Sequence, residues 1–225
     1  MGVDAMRAGA AARLLTTDAR ALKVAALSHL TRFRRFRVQL KHLLVGLSVA
    51  LVACGGDTTA PNNLTTPGSL SFSFSGGAAG SYSATGLPPT NGTLSFGTSP
   101  WAAGVRDDAK QAIVVVGTVP KTSTTWDLAV IEITRLTVGS NTINSSCTAA
   151  LCTGVSVAFG TNQASNSFTL VCLLTTGTVA ISSVSSTRAT GTFSGSGSCV
   201  SMTGTVSAIT VTGGSFDVPL VAGTA

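Results

Sequence analysis

The chain has 225 residues, 44% of them hydrophobic and 10% charged, with 25 glycines and a formal net charge of +6; that length suits one ordinary globular domain plus flanking segments rather than two full domains. The charge is unevenly placed. Ahead of Cys54, nine bases (Arg7, Arg13, Arg20, Lys23, Arg32, Arg34, Arg35, Arg37 and Lys41) face only Asp4 and Asp18, about +7, whereas from Cys54 onward five bases face six acids, about −1, so the later segment lacks the clustered Lys and Arg that neutralise phosphates and no nucleic-acid partner is expected.

Leu43 to Ala53 reads LLVGLSVALVA, an apolar run behind Lys41 and His42 with the length of a signal-peptide core. It is too short to cross a bilayer as a helix, which takes about twenty residues. The run ends Leu51, Val52, Ala53, Cys54. A small residue before a cut lets a peptidase approach the backbone, and a cysteine thiol directly after it is a nucleophile for lipid transfer. This ending resembles the lipobox of bacterial lipoproteins. The resemblance implies cleavage before Cys54, acylation of that cysteine and attachment to the membrane through the lipid. Two or three acyl chains make such attachment effectively permanent, where one is marginal. Gly55 follows the cysteine, and by the same resemblance the absence of Asp there implies the outer membrane. The rival reading is an ordinary signal peptide in which Cys54 is incidental.

Residues 1–53 are thus expected to be leader and signal peptide. Residues 1–37 are long for the basic head of such a signal, so translation is expected to begin near Val38. Arg34 and Arg35 hint at twin-arginine export, but Arg37 stands where that pattern has an apolar residue.

From Cys54 to Gly68 the chain is polar and Pro-containing, without apolar periodicity (GGDTTAPNNLTTP from Gly55 to Pro67), which predicts a flexible tether. Residues 69–225 are expected to form a single β-domain. Leu70, Phe72 and Phe74 alternate with Ser69, Ser71, Ser73 and Ser75, the period-two pattern of a half-buried strand. Further strands are predicted over Thr93–Phe96, Gln111–Val119, Trp126–Leu136, Val155–Phe159, Phe168–Leu173, Thr178–Val184, Thr190–Phe193, Thr203–Thr212 and Ser215–Leu220. Ile113 to Val116 is an unbroken apolar run, and both Trp126, Leu128, Val130 and Ala129, Ile131, Ile133 are apolar sets, so these two strands are expected to be covered on both faces. The fold class predicted is all-β, an antiparallel β-sandwich of about eight to ten strands, with a closed β-barrel as the alternative.

Besides Cys54 there are Cys147, Cys152, Cys172 and Cys199, an even number in a segment expected to be exported, which points to disulfides. Three pairings are possible. The short, loop-like Thr148 to Leu151 favours Cys147 with Cys152, leaving Cys172 with Cys199. Zinc is the rival, but there is no CxxC and no histidine follows Cys54, so no metal and no cofactor is expected.

Both histidines, His29 and His42, precede Cys54, which removes Ser-His and Cys-His mechanisms from the processed chain. Asp107 and Asp108 are adjacent and suit a turn, while Asp127 and Glu132 share a strand; as surface charges they keep an apolar sheet soluble, and as a facing pair they would make a carboxylate-based hydrolase. Trp101 and Trp126, the only tryptophans, are candidates either for core anchors or for a binding platform. The C-terminal stretch, a strand opened by Gly-Thr-Val, a Gly-Thr-Phe hairpin and a Gly-x-Phe strand, is similar to uncharacterised envelope lipoproteins, which implies a compact β-domain and transfers no active site. The function expected is a membrane-anchored structural or binding module, not an enzyme, with a protein or glycan partner left open. A carrier of a small apolar ligand in a barrel, and the hydrolase, are the alternatives.

Overall fold

The computed structural model describes residues 64–88, 98–144, 152–162, 165 and 167–223. Among them there are ten strands and no helix: β1 (Gly68–Gly76), β2 (Gly80–Gly86), β3 (Trp101–Asp107), β4 (Ala112–Pro120), β5 (Trp126–Ile133), β6 (Gly139–Thr142), β7 (Gly154–Thr161), β8 (Leu170–Val184), β9 (Arg188–Ser201) and β10 (Val206–Ala222). The all-β class and the strand number match the expectation.

Two pairs of expected strands are single long ones. Phe168–Leu173 and Thr178–Val184 merge into β8, and Thr203–Thr212 and Ser215–Leu220 merge into β10. The glycines between them do not reverse the chain. Gly177 and Gly213 adopt positive φ (133° and 61°) beside register shifts at Leu174/Thr176 and Val211/Gly214, so each bends a continuing strand at a bulge. Strands β2, β3 and β6 were not expected, being short or built from small residues with no long β-branched run. The segment Thr93–Phe96 lies outside the described residues.

All ten strands share one hydrogen-bonded sheet. Its pairings fall into two layers. One runs β2–β1–β10–β9–β8–β6 and the other β3–β4–β5–β7. The layers join at two corners, where Leu220–Ala222 of β10 pair with Gly104–Arg106 of β3 and where Leu170–Leu173 of β8 pair with Ser156–Phe159 of β7. Every pairing is antiparallel except β10 with β3.

The inner faces of the two layers meet in one hydrophobic core. Leu70, Phe72, Tyr82 and Ala84 from β1 and β2 share it with Ile113, Val115, Ala129 and Ile131 from β4 and β5. Phe72 stacks on Tyr82 (4.9 Å between centroids) and meets Phe193 edge-on, while Phe74 reaches Phe159 of the opposite layer at 5.1 Å. The layers come close at Gly117, where an added Cβ would lie 2.8 Å from Leu70 Cδ2 and 3.1 Å from Tyr82 Oη.

The two outer faces differ in character. On the six-stranded layer the alternation puts hydroxyls outward: Ser71 opposite Ser215, Ser75 opposite Thr210, Thr210 opposite Ser196. Several bond one another, as Ser71 with Ser215 (3.2 Å) and Ser183 with Thr190 (2.7 Å), and the ion pair of Arg188 with Asp217 lies on the same face. The outer face of β3, β4 and β5 is mostly apolar, with Asp107, Thr118 and Glu132 its polar members.

Candidate functional site

Cys172 on β8 stands directly opposite Cys199 on β9, and the two form a disulfide with both residues buried in the core. This is one of the two expected bridges. Cys152 is also disulfide-bonded. Cys147 and Cys54 lie outside the described residues.

Trp101 opens β3 and Trp126 opens β5, and the register places both on the same outer face. Trp101 pairs with Thr118, which pairs with Leu128; one step further along, Pro120 pairs with Trp126, which pairs with Thr161. Directly paired residues share a face, and this row is the one opposite the core residues Ala102, Val115 and Ala129. Neither ring is exposed: Trp101 retains 2% of its surface and Trp126 9%. Val105, Val114, Val116, Leu128 and Val130 continue the apolar surface beside them, all buried.

Polar groups on this face are few. Trp101 Nε1, Thr118 Oγ1 and Thr161 Oγ1 are buried and have no hydrogen-bond partner. Glu132 sits toward the other end, opposite Val114 and Gly154, and burial raises its carboxyl above the usual value of 4.5. These threonines carry no distinguishing signal in the sequence, since a strand threonine reads the same whichever face it takes.

Asp127 points the other way, to the inner side, and is nearly buried. Its Oδ1 accepts the Gly160 backbone N–H (3.0 Å) and its Oδ2 lies 2.9 Å from Lys121 Nζ. Gly160 belongs to the bulge where the β5–β7 register shifts, so the carboxylate ties down that irregularity. The Tyr82 hydroxyl is close to the same carboxylate. Burial first, and the Asp127 charge second, push its pKa well above 10, and although it nears the Ala129 backbone it makes no hydrogen bond of good geometry.

The remaining carboxylates serve the strand ends. Asp107 accepts Lys110 N–H (3.0 Å) across the β3–β4 turn, with Lys110 Nζ at 3.6 Å. Arg106 bonds Asp108 (2.7 Å), and Arg188 bonds Asp217 (2.6 Å). Among the described residues no three or more His, Cys, Asp or Glu side chains gather as a metal would require. The structure therefore brings Trp101 and Trp126 to one face, places Asp107 and Glu132 on that same outer face toward its other end, and sets Asp127 at an inner bulge.

No protein-family model matches this chain, and no curated protein and no solved structure matches it.

Proposed function

We propose that the chain is the precursor of an envelope lipoprotein, cut before Cys54, acylated there and held at the outer membrane, whose β-domain is a structural or binding module. The observation that carries this reading is the order along the chain. A basic head, an apolar run ending Leu51-Val52-Ala53-Cys54 and a polar stretch precede a domain whose first strand starts at Gly68. The Cys172–Cys199 bridge supports it, because disulfides persist in oxidising compartments outside the cytoplasm. A second bridge, Cys147 with Cys152, belongs to the same reading.

The carboxylates favour a module over a hydrolase. Asp107, Asp108, Asp127 and Asp217 each sit against a lysine or arginine. That is the arrangement of structural charges; a glycosidase holds two carboxyl groups facing each other within about 5–10 Å.

Growth of an expressing bacterium with an alkyne-bearing fatty acid tests the reading. Label is expected on the wild type, together with the mass of a chain starting at Cys54, and not on Cys54→Ser. An unlabelled wild-type chain that retains residues before Cys54 would overturn it.

A further inference from the structure

The Cys172–Cys199 bridge lies at one of the two corners where the layers join. Cys172 stands opposite Cys199 of β9 on one side and Val157 of β7 on the other, and Cys199 stands opposite Ser207 of β10. Paired strands therefore flank the bond on both sides. Both cysteines belong to the core shared with Ile113, Val115, Ala129 and Ile131 of the opposite layer, and they retain only 1% and 0% of their surface.

Thiol–disulfide exchange requires an attacking thiolate to reach a bridge sulfur. No oxidant or reductant reaches these sulfurs while the core is closed. The bond is therefore made, and unmade, only when the layers are apart.

The hairpin that carries the two cysteines is local. Its own groups hold its turn: the Ser185 N–H donates to Arg188 O (2.8 Å), and Ser185 Oγ accepts the N–H groups of Thr187 (3.2 Å) and Arg188 (3.0 Å). From there the strands pair from Val184 opposite Ala189 to Leu170 opposite Ser201, past register shifts at Ile181/Ser183 and Leu174/Thr176. The cysteines lie beyond both shifts. A slip of one residue at either would turn one cysteine to the other face, so the bond closes only on the native register. The opposite layer draws β3, β4 and β5 from residues 101–133, far earlier in the chain. Loop-closure entropy favours the local hairpin first and that distant packing later.

We propose that the Cys172–Cys199 bond is made on the open β8–β9 hairpin and sealed when the opposite layer closes over it, so that the folded domain neither gains nor loses it. A disulfide-bearing oxidant supplies the reaction. One cysteine thiolate displaces a thiol from the oxidant to give a mixed disulfide, and the second cysteine then displaces the other thiol. Two electrons and two protons pass to the oxidant, which must meet the chain before its layers close. This inference stands apart from acylation at Cys54.

The purified protein is incubated with dithiothreitol, alkylated at intervals with iodoacetamide and mapped by peptide mass, which separates Cys172 and Cys199 from the bridge at Cys152. Alkylation of the two is expected to be about a hundredfold or more slower in the folded chain than in denaturing urea. It is also expected to quicken with sub-denaturing urea, in step with unfolding followed by tryptophan emission. A rate that sub-denaturing urea leaves unchanged would show the bond opening inside the closed sandwich, and overturns the proposal. The order of events is read in the other direction. The reduced chain is diluted out of urea, and oxidised glutathione is added at once or after the emission has settled. The bond is expected promptly in the first case and about a hundredfold or more slowly in the second. A reduced chain whose emission stays that of the unfolded state supports the proposal, since closure then waits for the bond. Equal rates of bond formation before and after the reduced chain has folded overturn it.

Discussion

Gly117 stands where the two layers come close, and the reason it is a glycine is steric. A side chain there would enter the space held by Leu70, Tyr82 and Ala84, which the core already fills. Gly117→Val is expected to destabilise by about 1–3 kcal/mol through overpacking, read as a lower urea midpoint with an unchanged slope. A midpoint equal to wild type would mean that β1 and β2 do not pack on β4 as described. Glu132 gives a different signature. Because burial raises its folded pKa above 4.5, the folded chain binds more protons than the unfolded one between that value and the raised one. Stability from this group therefore falls as pH rises through the window, the reverse of a salt-bridged carboxylate. Glu132→Gln is expected to be more stable than wild type above the window and to lose this part of the pH slope. Thermal unfolding of both across pH 4 to 8 checks it, and parallel curves would refute it.

At the scale of elements, the bridge between β8 and β9 closes a loop of 28 residues, Cys172 to Cys199, around the β8–β9 hairpin. In the chain-entropy model this removes about 3–4 kcal/mol of unfolded-state freedom. Cys172→Ala with Cys199→Ala should lower the melting temperature by roughly 7–14 °C for a domain of this size, by calorimetry without reductant. An unchanged melting temperature would show that the bridge does not form in the native protein. These strands also show what local sequence can reveal. The alternation from Leu70 to Phe74 was legible because each residue's face follows from its neighbours, and the two-sided apolar character of β4 and β5 announced strands covered on both faces. The length of β8 and β10 was not legible. Gly177 and Gly213 read as turns, and only pairing across β9 decides that the chain continues past them. The shared face of Trp101 and Trp126 was hidden for a related reason. It depends on the register of β3 and β5 through β4, a relation between residues 25 apart in the chain.

For the molecule as a whole, β10 is the piece on which the rest depends. It pairs with β9 along one edge and, on the other, with β1 and then β3, so the last strand holds the first strand and carries the sheet around one of its two corners. Ser69 opposite Asp217 is a contact across nearly the full length of the domain. Topologies dominated by such distant pairings fold slowly, on about the millisecond-to-second scale, because loop-closure entropy is spent before the contacts that offset it form. A chain that stops at Thr205 lacks every β10 partner. It leaves β1 and β2 with no hydrogen-bonded neighbour but each other, and a lone two-stranded hairpin is marginal in water. Truncation there is expected to abolish cooperative unfolding rather than to subtract one strand's share of stability. Urea titration followed by tryptophan emission, with pulse proteolysis alongside, distinguishes the two. A sigmoidal transition with a nearly wild-type slope in the truncated chain would show that β3, β4, β5 and β7 hold together without the closing strand, and that the two layers are separable units.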